Sequence, residues 1–144
     1  MDKVTVMLDF KRINGKFHKA LTNSLKEYNL DITPVQGRIL MFINEKREVT
    51  ATDMLDKFNS INKSTLSEIL NNLEKNEYIN RKEDENDSRR KIIVLTNKAR
   101  DVIKVLKQNF DRVTNKVLED VSINEYEAFK NVISKMERNL DNIC

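Results

Sequence analysis

Apolar residues Phe10, Ile13, Phe17, Leu21, Leu25 and Tyr28 recur every three or four positions, predicting a helix from about residue 5 to 28. A second helix has a defined start. Thr33 can cap it, Pro34 suits its first position, and Gln36 stands three residues after the cap. Val35, Ile39, Leu40 and Ile43 give it a buried stripe. Thr50 followed by Asp53 repeats the start signal, with Met54, Leu55 and Phe58 facing inward on a short helix. After the polar turn Asn59-Ser60-Ile61-Asn62, the spacing predicts a helix from about Lys63 to Asn76. Leu66, Ile69, Leu70 and Leu73 fall on one face of it; Ser64, Glu68, Asn71 and Lys75 point the opposite way, flanked by Ser67 and Asn72.

The period then changes. Glu77–Lys82 and Lys91–Leu95 are short β-prone runs around an entirely polar stretch, Glu83–Arg90, which predicts an antiparallel hairpin with a long exposed tip. Thr96 can cap a long helix with the stripe Val102, Leu106, Phe110, Val113 and Val117. Ser122 and Glu125 form another capping box, and the last helix presents Tyr126, Phe129, Val132, Ile133, Met136, Leu140 and Ile143. There is no repeat, linker or low-complexity block. The pattern predicts one mainly α domain over residues 1–144 with a small β-hairpin wing: a winged helix-turn-helix lobe at about 33–95, carried on a helical dimerisation platform at about 5–28 and 97–143.

Composition changes this picture little. Of 144 residues, 39% are hydrophobic and 34% charged, enough for a core beneath a heavily solvated surface. No apolar run reaches the roughly 18 residues needed to span a bilayer, and the N-terminus lacks a signal-peptide pattern, so the expectation is a cytoplasmic protein without a membrane partner. Cys144 is the only cysteine, which excludes an internal disulfide and agrees with a reducing compartment. With one histidine and one cysteine there is no basis for a metal site, and no glycine-rich phosphate loop exists; the expectation is no enzyme and no cofactor. Net charge is +3, but residues 51–91 hold eight basic and nine acidic side chains. Bulk charge therefore makes no case for nucleic acid; pattern must.

A short helix, a tight polar turn and a second helix with a polar outer face make a helix-turn-helix. The major groove admits one α-helix, where Ser, Asn and Lys reach base edges or phosphates. The candidate DNA contacts on that helix are Lys63, Ser64, Thr65, Ser67, Glu68, Asn71 and Asn72. A hairpin placed directly after it sharpens the assignment, since Arg89, Arg90 and Lys91 at its tip can lie along the backbone or enter the minor groove. Arg81 and Lys82 are further candidate phosphate contacts. The bland alternatives are the polar face of an exposed helix and ordinary solvated charges. His18 reads as structural or exposed, and Cys144 as an inert thiol at a frayed helix end.

With Leu30-Asp31-Ile32-Thr33-Pro34-Val35-Gln36 at one end and the last helix at the other, the chain resembles the MarR family of bacterial transcription regulators. The most specific stretch is Asp87-Ser88-Arg89 followed by Ile93-Val94-Leu95-Thr96, and Lys63-Ser64-Thr65-Leu66-Ser67 with Leu73-Glu74-Lys75 resembles the family's recognition helix. The resemblance implies that Arg89 enters the minor groove and that Asp87 holds it in place. It also implies a homodimer on a pseudo-palindromic stretch of double-stranded DNA, usually as a repressor. Release by a small aromatic or anionic ligand, bound between dimerisation helices and winged lobe, follows from the same likeness. Three positions depart from the family pattern: Glu77 and Ala99 stand where glycine is usual, and Glu68 where a basic residue is frequent. Glu68 can accept from cytosine N4 but repels phosphate. The rival reading is a winged-helix protein–protein adaptor with little DNA binding, for which the acid-balanced segment 51–91 speaks.

Overall fold

The computed structural model describes residues 2–144. Six helices and one hairpin follow in the order α1 (Lys3–Lys26), α2 (Pro34–Lys46), α3 (Ala51–Lys57), α4 (Lys63–Lys75), β1 (Ile79–Glu83), β2 (Lys91–Leu95), α5 (Asn97–Val117) and α6 (Ile123–Ile143). This is the expected mainly α architecture with a hairpin wing. The first helix starts and ends two residues earlier than its apolar spacing indicated. Asp2 accepts from the N–H groups of Val4 and Thr5 and so fixes that start.

Local chemistry sets most helix starts. Thr33 with Gln36, Thr50 with Asp53, and Ser122 with Glu125 are complete capping boxes, each satisfying two otherwise orphaned N–H groups. Helix ends are more unusual. Both glycines lie inside helices, Gly15 in α1 and Gly37 in α2, so none is available for the left-handed residue that commonly ends a helix. Among the described residues, Asn29, Arg47, Glu77 and Asp120 take positive φ instead, following α1, α2, α4 and α5 respectively.

The core joins α2, α3, α4, the hairpin and the first half of α5. Ile39, Leu40, Ile43, Met54 and Ile79 are fully buried, with Leu66, Leu70 and Leu73 from α4 and Ala99 and Ile103 from α5 packed into the same cluster. Burying each large side chain contributes about 1.5–3 kcal/mol. The hairpin is antiparallel, with Ile79 opposite Leu95, Arg81 opposite Ile93 and Glu83 opposite Lys91. The strand begins at Ile79, so Glu77 and Tyr78 belong to the turn that ends α4 rather than to the sheet. Val49 adds a bridge to Ile93, a third edge that no alternation in the sequence announced.

The chain divides into two compact units, one running to Val113 and one comprising Thr114–Cys144. On α5 the apolar stripe is buried only in its first half. Leu106 is 5% exposed, whereas Phe110 is 41% and Val117 52% exposed, because the lobe covers the helix only to about Asn109. In the second unit no residue of α6 is buried; Ile133 and Met136 are half-buried, and Tyr126, Val132, Leu140 and Ile143 are exposed. Among the described residues, no helix is long and apolar enough to cross a membrane.

Candidate nucleic-acid interface

Between α3 and α4 the chain turns sharply. The Ile61 N–H donates to the Phe58 carbonyl at 2.9 Å, and Asn62 caps α4 by accepting from the Thr65 N–H at 2.8 Å. Leu66, Leu70 and Leu73 anchor α4 in the core with Ile69 half-buried beside them. That anchoring forces the rest of the helix outward: Lys63, Ser64, Thr65, Ser67, Glu68, Asn71 and Asn72 are all exposed. One helix face thus collects every candidate base-reading residue of α4. Glu68 enters no ion pair among the described residues, so its carboxylate stands uncompensated on that face.

The far end of α4 is held by a tight hydrogen-bonded turn. The Glu77 N–H donates to the Glu74 carbonyl at 3.0 Å and the Tyr78 N–H to the Leu73 carbonyl at 2.9 Å, with Glu77 at φ 64°. This is the Schellman geometry, with glutamate where glycine is favoured. The start of α5 then closes over it. The Thr96 hydroxyl donates to the Glu77 carbonyl at 2.6 Å, while the Lys98 ammonium donates to the Asn76 carbonyl at 2.7 Å and lies 4.5 Å from the Tyr78 ring centroid. Thr96 also accepts from the Ala99 N–H at 3.2 Å, the capping role its position indicated.

At the hairpin tip, residues 84–90 fold on themselves. The Asp84 N–H donates to the Arg90 carbonyl and the Arg90 N–H to the Asp87 carbonyl, at 3.1 and 3.0 Å. Asp87 then receives Arg89 twice on one oxygen: Oδ1 accepts from the backbone N–H at 3.0 Å and from Nε at 3.2 Å. The Asp87 carboxyl is consequently held below the usual aspartate range, chiefly by the Arg89 backbone N–H, then by the Arg89 side chain, with the nearby Arg90 charge adding to it. Arg89 itself projects into solvent, its side chain 89% exposed. It is a cation aimed outward on a fixed base.

The remaining basic candidates are more restrained. Arg90 approaches Asp84 at 3.9 Å, Lys91 reaches Glu83 at 3.3 Å, and Lys82 reaches Glu48 at 3.2 Å; all three cations are exposed, as are Glu83 and Glu48, whereas Asp84 is half-buried. Such pairs exchange readily with solvent or with a competing anion. Arg81 differs: it turns back onto α4, with Nη2 3.0 Å from Asn71 Oδ1 and Nε 3.6 Å from Glu74 Oε2.

A feature that sequence reasoning missed lies behind this surface. Residues of α1, α2, the end of α3 and α5 line a half-open cavity of about 560 Å³. Its walls are largely apolar and aromatic, with Phe17 packed edge-on to Phe110 at 5.8 Å and Phe42 to Phe58 at 5.6 Å. His18, Arg38, Lys57 and Lys107 also line it, against a single acid, Glu45. Phe17, Phe58 and Phe110 were visible in the sequence only as apolar positions on separate helices, and Phe42 stood outside the stripe assigned to α2. Their meeting is a tertiary event.

The helix-turn-helix, the hairpin after its second helix and the exposed polar face together define a winged-helix nucleic-acid-binding protein. The MarR family model matches residues 32–91, and the transcriptional regulator SarZ of Staphylococcus aureus is 31% identical over 127 residues, covering 86% of this chain and 81% of SarZ. The chain belongs to the MarR family of DNA-binding transcription regulators, not to an enzyme family. Among solved structures, a complex of S. aureus MepR with DNA superposes with a TM-score of 0.81 at 27% identity, covering 92% of this chain and 96% of that one. A MarR mutant from E. coli in complex with operator DNA shares the fold, with a TM-score of 0.78 at 19% identity over 94% of this chain and 99% of that one. BpsR of Bordetella bronchiseptica, solved in a study of its regulation by 6-hydroxynicotinic acid, does so at a TM-score of 0.79 and 16% identity, covering 94% of each chain.

Proposed function

We propose that this protein is a homodimeric repressor that reads a pseudo-palindromic operator with α4 in the major groove and Arg89 in the adjacent minor groove. The observation that carries the reading is the Asp87–Arg89 pair, which presents an exposed guanidinium from an ordered tip. Pre-ordering a long side chain removes part of the entropy that binding would otherwise cost. Lys63, Ser64, Thr65, Ser67, Glu68, Asn71 and Asn72 supply the α4 face; Lys82, Arg90 and Lys91 exchange their carboxylate partners for phosphates.

Surface left uncovered supports the dimer reading. Val4, Met7, Leu8 and Ile13 on α1, and Ile123, Val132, Leu140 and Ile143 on α6, are all at least 49% exposed. Apolar residues in such number at helical spacing favour a self-complementary two-fold interface. Two recognition helices would then meet successive major grooves about 34 Å apart. The cavity supports control by a small aromatic anion, since its walls combine edge-on aromatic pairs with the cations Arg38, Lys57 and Lys107 and one acid, Glu45. Such a ligand acts by favouring one arrangement of the dimer over another.

Fluorescence anisotropy against genomic fragments and random duplexes, repeated at several salt concentrations, tests the DNA reading. Sequence preference that persists as salt rises supports it; weak binding erased by salt points to the adaptor alternative. Sedimentation at micromolar concentration tests the dimer, and a monomer there rules it out.

A further inference from the structure

Arg81 sits on β1 facing the recognition helix, and its guanidinium is not available to a phosphate in the way Lys82 is. Its Nη2 donates to Asn71 Oδ1 at 3.0 Å, its Nε lies 3.6 Å from Glu74 Oε2, and that Nε is buried with no hydrogen-bond partner. The side chain as a whole is only 28% exposed, against 57% for Lys82. Asn71, by contrast, is exposed on the face of α4 that carries the other candidate contacts.

We propose that Arg81 is a positioning residue that sets which bases Asn71 can read. This rests on the reading of α4 as the major-groove helix. A carboxamide carries an acceptor oxygen and a donor NH2 group, and asparagine recognises adenine by using both at once, donating to N7 and accepting from N6. Here the oxygen is engaged by a cation on the β1 side. A second donor such as adenine N6 would approach beside that positive guanidinium, which repels it. Asn71 is left to act through its NH2 alone, which favours an acceptor edge: N7 and O6 of guanine, or O4 of thymine. The side chain most often associated with adenine is thereby turned away from it, by a residue that touches no base.

Selection of bound half-sites from a randomised duplex library tests this directly, with wild type, Asn71→Ala, Arg81→Met, Arg81→Lys and Asn71→Asp compared. Asn71→Ala should flatten the preference at one position of each half-site and so identify it. Arg81→Met frees Oδ1 and should shift that position toward adenine, on the order of tenfold in relative enrichment. Arg81→Lys keeps a cationic donor beside Oδ1 and should retain the wild-type preference there, which loss of fold alone would not explain. Asn71→Asp preserves a partner for Arg81, and hence folding, but replaces the outward donor with an acceptor; the position should move toward cytosine or adenine. A wild-type preference for adenine at the Asn71-dependent position overturns the proposal. So does an Arg81→Met protein that folds and selects the wild-type base there, or an Asn71→Ala profile identical to wild type. A wild-type library that stays random overturns the DNA reading of α4 itself, and this inference with it.

Discussion

Asp87 binds Arg89 through a single carboxylate oxygen, which accepts both the backbone N–H and the side-chain Nε of the residue two places on. The backbone bond shapes the tip and the side-chain bond aims the guanidinium, so one carboxylate couples loop conformation to the direction of a charge. An exposed ion pair of this kind adds little to stability. Its value lies in what it does to the 89%-exposed arginine before any partner arrives.

Removing either member should therefore weaken DNA binding, although their charges are opposite. Arg89→Ala is expected to cost about 1–3 kcal/mol of specific affinity. Asp87→Ala should also weaken binding, despite removing a negative charge from a DNA-facing surface. Asp87→Asn, which can still accept the backbone N–H, should fall between. Anisotropy titrations at fixed salt decide it: tighter binding by Asp87→Ala would mean that plain repulsion outweighs orientation.

The same contacts set a pH dependence. Because the folded Asp87 pKa is depressed, the carboxylate stays ionised to lower pH than an ordinary aspartate, and the stabilisation it gives the tip is lost as pH falls through that depressed value. Stabilisation is thus complete at neutral pH and disappears on acidification, not on raising the pH. A carboxyl carbon NMR titration should place the Asp87 midpoint below that of an ordinary aspartate. In Arg89→Ala the midpoint should rise only partway, since the backbone N–H, the larger cause, survives the substitution. Full return to an ordinary value would contradict that ranking.

At the end of α4, Glu77 holds φ 64° without the freedom of glycine. A side chain in the left-handed region costs roughly 1–2 kcal/mol, partly offset by the greater chain entropy that glycine loses on folding. Glu77→Gly should raise unfolding free energy by about 1 kcal/mol, read as a higher urea midpoint at unchanged slope. Glu77→Ala, which keeps the Cβ, should give no such gain. Equal stabilisation by both would show that the charge, not the backbone, was responsible.

The cavity makes a chemical prediction. Benzoate or salicylate should raise the melting temperature by on the order of 5 °C at about a hundredfold excess over Kd. The matching neutral amides should do so far less, because Arg38, Lys57 and Lys107 outnumber Glu45 around the apolar walls. Indistinguishable shifts for acid and amide would remove the electrostatic part of the argument.

Sequence alone determined the elements, because their signals are local. Thr33 with Gln36, Thr50 with Asp53 and Ser122 with Glu125 act within one helical turn, and the spacing of Leu66, Leu70 and Leu73 assigns the outer face of α4 without knowledge of what lies beneath. The Asp87–Arg89 pair was legible through the family resemblance, and its two members stand only two residues apart on a turn. Tertiary structure decided what depends on distant segments meeting. It placed Val49 against Ile93, gathered Phe17, Phe42, Phe58 and Phe110 around one cavity, and left the second half of the α5 stripe uncovered. It also set Arg81, a candidate phosphate contact, against Asn71, ten positions earlier. No periodicity encodes that contact: it arises because β1 leaves the α4 turn and runs back beside the helix, where an inward cation meets the nearest carboxamide and carboxylate.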